Sequence, residues 1–143
     1  MPDTAAKTAR GSCLCRGIRF EMTLPSRFCA HCHCNNCRRA HGAAFVTWIG
    51  FQNDQVRISC GTELVQRYRT DTDATRTFCS RCGTTLFYEG PRWKGEIHVV
   101  LANVDTPVDR KPAANVYVDH RAPWWEITDD LPRYGGESGT EKQ

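Results

Sequence analysis

Seven of the nine cysteines fall into three tight groups: Cys13-Leu14-Cys15, Cys32-His33-Cys34-Asn35-Asn36-Cys37 and Cys79-Ser80-Arg81-Cys82-Gly83. No other feature constrains the fold as strongly. Thiols one or two residues apart reach a common point, and a metal held there contributes directly to folding. The chain must therefore carry distant cysteine groups to shared positions within 143 residues, the size of one domain. An odd number of cysteines in such pairs reads as metal binding and not as a disulfide framework. Met1–Arg10 contains no apolar signal-type region, and no apolar run is long enough to span a bilayer. A cytoplasmic, reducing location is expected.

The groups differ in kind. Cys13/Cys15 and Cys79/Cys82 each offer two thiolates, and together they complete a closed tetrahedral site. Gly83 supplies the turn that brings Cys79 and Cys82 to one point. Such a site would staple the start of the chain to its middle. Cys32, Cys34 and Cys37 supply three ligands, and two schemes fit their spacing. In the first, the fourth position is open to water or to an external thiolate, which a zinc ion would deprotonate and orient. In the second, Cys29, His31 or His33 closes the shell and the metal is structural.

Between these groups the chain reads as short strands. Ile18, Phe20 and Met22 alternate with Arg19, Glu21 and Thr23, the period of a half-buried strand. Further strands are expected at 43–51, 56–60, 84–89 and 96–101, a hairpin at 64–70 and 75–78, and a last full strand at 115–119. Asn35 or Asn36 can cap a short helix over 37–41, with Gly42 as its stop. No long helical period and no repeat is present. The pattern predicts a mainly β, antiparallel domain over residues 11–134, with a frayed leader (1–10) and a polar, mobile tail (135–143).

The formal charge of +3 counts every cysteine as a neutral thiol. Seven thiolates holding two zinc ions would contribute about −3, which brings the holoprotein to about zero. With no basic run beyond Arg38-Arg39, nucleic acid is not the expected partner.

Other residues carry two readings each. His31 and His33 could move a proton or only hydrogen-bond backbone and sulfur. Arg38 and Arg39 could bind substrate carboxylates or donate N–H···S bonds. Trp48, Trp93, Trp124 and Trp125 could wall a pocket or fill a core. Cys60 is expected as a buried free thiol, and Asp129-Asp130 as a solvated turn.

Four stretches together resemble the glutathione-dependent formaldehyde-activating family, which also contains centromere protein V. They are Gly11–Cys15, Cys32–Arg39 with Gly42–Phe45, Phe78–Leu86 and Pro123–Pro132, spanning about residues 11–134. The resemblance implies an all-β fold of coiled antiparallel sheets, the β-tent type, and two zinc ions per chain. It implies a structural zinc on Cys13, Cys15, Cys79 and Cys82 and a catalytic zinc on Cys32, Cys34 and Cys37. The implied activity is carbon–sulfur lyase chemistry, joining glutathione and formaldehyde or splitting S-hydroxymethylglutathione. The alternative is a non-catalytic zinc module that binds protein or nucleic acid, as the kinship to centromere protein V permits.

Overall fold

The computed structural model describes residues 7–143. The fold is all-β with one short helix. In chain order the elements are β1 (Thr8–Ser12), β2 (Arg19–Thr23), β3 (Phe28–Cys32), α1 (Asn35–His41), β4 (Val46–Gln52), β5 (Val56–Cys60) and β6 (Val65–Arg69). They continue with β7 (Thr75–Cys79), β8 (Thr85–Glu89), β9 (Glu96–Val100), β10 (Asn115–Val116), β11 (Tyr134–Gly135) and β12 (Glu141–Lys142). Three sheets result, ordered β1-β2-β5, β10-β3-β4-β9-β8-β7-β6 and β11-β12.

The long sheet has two differently used faces, and β4 shows why. It is a central strand between β3 and β9, and side chains on both its faces are buried, so its sequence is an apolar run rather than an alternation. Ile49 and Phe51 point into the main core with Cys29, Phe87 and Val99. Phe20 and Met22 of β2 meet them from the three-stranded sheet, and Phe20 packs edge-on to Phe87 with ring centroids 5.0 Å apart. Burying each of these large side chains stabilises the fold by about 1.5–3 kcal/mol. Val46 and Trp48 point the other way, into a second cluster with Cys32, Cys37 and Val100. This second face carries the cysteine-rich centre.

Several expectations change. β3 has no sequence signature, because Cys29 is buried on one side and Ala30 and Cys32 on the other, which erases alternation. The expected strand at 115–119 stops at Val116. It pairs parallel to β3, and Tyr117 then enters the left-handed region at φ 57° before a 3-10 turn. Of the expected leader, residues 1–6 lie outside the described residues. Thr8–Arg10 belong to β1, because Ala9 fills a fully buried core position opposite Met22. The expected tail forms a hairpin of β11 and β12, and Gly136 N–H donates to the Asp119 carboxylate at 2.6 Å. Cys60 is exposed, since it ends the edge strand β5.

Candidate metal centres

The first thiol group joins the two larger sheets. Cys13 and Cys15 sit in the turn between β1 and β2, while Cys79 ends β7 and Cys82 follows in the knuckle. Their four sulfurs lie within 4.8 Å of one another, Cys13 to Cys15 at 3.6 Å and Cys15 to Cys79 at 3.8 Å. Gly83 takes φ 80°, which a side chain would strain, and its N–H donates to Cys79 O at 2.8 Å. Backbone N–H groups point at the sulfurs: Ile18 to Cys13 at 3.3 Å and Cys82 to Cys79 at 3.5 Å. The Arg81 guanidinium donates to Cys15 Sγ at 3.4 Å. Burial pushes Cys13 up to about 11. At Cys82 the Thr84 hydroxyl and the Thr84 and Cys15 amides outweigh burial and bring it down to about 5. Four convergent soft donors match a closed thiolate metal site.

The second group is built on β3 and α1. Cys32 ends the strand. Cys34 caps the helix, its sulfur accepting the Cys37 N–H at 3.1 Å, so a cysteine does the work expected of Asn35 or Asn36. Gly42 ends the helix at φ 59°, returning its N–H to Arg38 O. Cys32, Cys34 and Cys37 place their sulfurs within 4.8 Å of one another, and no fourth donor joins them among the described residues. Cys32 is raised well above the ordinary thiol range by its hydrogen bonds to Cys34 and Cys37 and by burial. Cys37 is lowered because the Cys32 and Cys34 thiols donate to it, against burial, with Arg76 adding positive charge. The cluster thus favours a thiolate at Cys37, and the three-sulfur donor set fits a thiophilic metal.

None of the three proposed fourth ligands joins the sulfur cluster. Cys29 faces the main core beside Ile49. His31 Nδ1 lies 2.8 Å from Thr47 Oγ1. His33 is 1% exposed, with Nε2 2.8 Å from Asn115 Oδ1. Asn115 Nδ2 donates to Asp129 at 2.9 Å, so its oxygen faces His33 and His33 must donate from Nε2. Burial lowers both histidines, which favours their neutral form. Asp129, exposed at a bend as expected, also belongs to this network.

Arg38 and Arg39 make no sulfur contact. Both bond Asn35 Oδ1, and Arg38 also bonds His120 O. The cation that reaches the cluster is Arg76 of β7, whose Nη2 lies 3.7 Å from Cys37 Sγ. The sequence reading missed it. Its one signal is a lone arginine within Thr75–Cys79, a strand otherwise free of charge. Trp48 is core, 4% exposed, and packs edge-on to His41; Trp124 and Trp125 are exposed. Tyr117 also packs against the second cluster. Asp119, Arg121, Trp125, Glu126 and Arg133 line a cavity of about 560 Å³.

Comparison with known proteins fits this geometry. The family profile described as glutathione-dependent formaldehyde-activating enzyme matches residues 8–120. A Halomonas elongata protein named provisionally as such an enzyme is 28% identical over 125 residues, 82% of this chain and 79% of that protein. An uncharacterized lyase of Schizosaccharomyces pombe is 32% identical over 78 residues, 54% of this chain and 55% of that protein. The crystal structure of a Rhodobacter sphaeroides protein superposes with a TM-score of 0.60 at 25% identity, covering 68% of this chain and 89% of that one. The profile match takes in all seven clustered cysteines, and the chain belongs to the glutathione-dependent formaldehyde-activating enzyme family.

Proposed function

We propose that this protein is a carbon–sulfur lyase that forms or splits a thiol–formaldehyde adduct, with glutathione as the thiol, at Cys32, Cys34 and Cys37. The observation that carries the reading is the convergence of three half-buried or buried thiols with no fourth protein donor among the described residues. Zinc suits both donor sets, being tetrahedral, thiophilic and redox-inert. Cys13, Cys15, Cys79 and Cys82 would hold a structural ion, and Cys32, Cys34 and Cys37 a second one. When bound there, the second ion supplies an open position that favours and orients an incoming thiolate.

The chain's own residues do the rest. Val46, Trp48 and Val100 wall the cluster on one side and exclude water. The thiolate sulfur attacks the formaldehyde carbon: a carbon–sulfur bond forms and the carbonyl pair moves to oxygen, which takes a proton from water. In reverse the hydroxyl loses its proton and the bond breaks with its electrons returning to sulfur. The cavity lined by Asp119, Arg121, Glu126 and Arg133 suits the charged ends of glutathione. Arg121 and Arg133 answer its two carboxylates, and Asp119 or Glu126 its ammonium group. Seven clustered cysteines kept as thiols for metal binding suit a reducing compartment such as the cytoplasm.

NMR exchange in mixtures of formaldehyde and glutathione tests the proposal. Wild-type holoprotein should accelerate adduct exchange, and Cys34→Ser should abolish the acceleration while keeping the fold. Exchange at the uncatalysed rate with wild-type holoprotein would overturn it.

A further inference from the structure

Arg76 is a buried cation with no acid beside it. It is 8% exposed, and no carboxylate lies within ion-pair distance among the described residues. Its cross-strand neighbour Tyr88 holds the guanidinium over its ring at 5.0 Å from the centroid. Nη2 reaches Cys37 Sγ at 3.7 Å, while Nη1 is buried with no hydrogen-bond partner. A buried, charged donor left unpaired carries a large desolvation cost. Charge compensation alone accounts for Nη2 and leaves Nη1 unexplained.

The guanidinium is a rigid planar fork, so the position of one prong fixes the other. With Nη2 against Cys37 and the guanidinium carbon over the ring of Tyr88, Nη1 of the same compact group occupies a buried, unpartnered position near Cys37. An acceptor at that position would sit next to whatever the three thiols engage. We infer that Arg76 is a catalytic residue whose Nη1 donates a hydrogen bond to the oxygen of the hydroxymethyl adduct. This rests on the reading of Cys32, Cys34 and Cys37 as the site of thiol–aldehyde chemistry. As the carbon–sulfur bond forms, the carbonyl electron pair moves to oxygen and charge develops there. Arg76 stays protonated and stabilises that charge; the proton comes from water. In the reverse direction it stabilises the alkoxide as the bond breaks. A preorganised donor of this kind contributes most in a water-excluded site.

Titration calorimetry on the zinc-loaded full chain, comparing ethanethiol with mercaptoacetate, tests this without relying on turnover. Both ligands carry a thiol, and only the second carries a carboxylate, attached to the carbon that bears the sulfur. Wild type should bind mercaptoacetate about tenfold more tightly or better, the worth of a charge-assisted bond. Arg76→Gln should erase the preference. Arg76→Lys should keep part of the preference and lower kcat for adduct exchange about 10²-fold with KM little changed. Equal affinities in wild type would overturn the role of Arg76 and leave thiol binding intact, and a preference retained in both variants would also overturn it. Binding of neither thiol would overturn both this role and the proposed function. The first comparison needs no variant, so misfolding of Arg76→Gln does not blunt it.

Discussion

Cys29 and Cys32 stand three residues apart on β3 and face opposite sides of the long sheet. Cys29 is paired with Ile49 and buried in the main core, while Cys32 is paired with Val46 and lies in the second cluster. The two-residue period of a strand makes an odd offset a change of face. Burial also pushes the Cys29 thiol up to about 11, which disfavours the ligand form.

Cys29→Ala is therefore expected to retain both metal ions. It should cost about 1–2 kcal/mol by leaving a small cavity in the core. Metal content and urea denaturation of the purified variant check this; loss of one metal equivalent would put Cys29 in a coordination shell.

The two clusters should respond differently to cysteine loss. Cys79 is fully buried and ties β7 to the turn between β1 and β2. Cys79→Ala should lose one metal equivalent and cooperative unfolding together. Cys34→Ser should lose the other equivalent and keep a cooperative transition, because a serine can still cap α1. Metal analysis with thermal unfolding followed by circular dichroism separates the two outcomes.

The sequence revealed the clusters because metal ligation depends on spacing, which is local. The alternation in β2 and the apolar run of β4 were legible for the same reason. What it hid is set by pairing across the sheet. The face occupied by Cys29 depends on the β3–β4 register, and Arg76 meets Cys37 only because β7 and β8 bring it to the same face as Tyr88. The network of His33, Asn115 and Asp129 joins segments up to 82 residues apart in the chain, so no local pattern announces it.

That network should support the fold. Asn115 is 1% exposed and bonds His33 on one side and Asp129 on the other. Asn115→Ala leaves His33 Nε2–H buried without an acceptor, and should destabilise by about 2–4 kcal/mol. Chemical denaturation measures it; a change below about 0.5 kcal/mol, the usual size of a neutral surface substitution, would contradict the account.

Asp109 should contribute a pH-dependent share of stability. Burial raises its carboxyl, but the Ser26 hydroxyl at 2.8 Å, the Ser26 amide at 3.0 Å and Arg110 outweigh it and leave it below the usual range. A lowered folded-state value stabilises above the unfolded carboxylate range, and that stability is lost as pH falls through the folded value. Wild type should therefore exceed Asp109→Asn in stability at neutral pH, and the gap should close on acidification. Denaturation midpoints of both proteins across the acidic range check this; a gap independent of pH would contradict it.

Zinc-edge X-ray absorption of the holoprotein, with and without glutathione, tests the central claim most directly, namely that Cys32, Cys34 and Cys37 leave one position for an external sulfur. Without glutathione, the two sites together should show sulfur at about 2.3 Å and a minor oxygen or nitrogen scatterer at about 2.0–2.2 Å. With glutathione, the lighter scatterer should disappear in favour of sulfur. An all-sulfur shell before glutathione is added, or a lighter scatterer that persists at saturating glutathione, would contradict the claim.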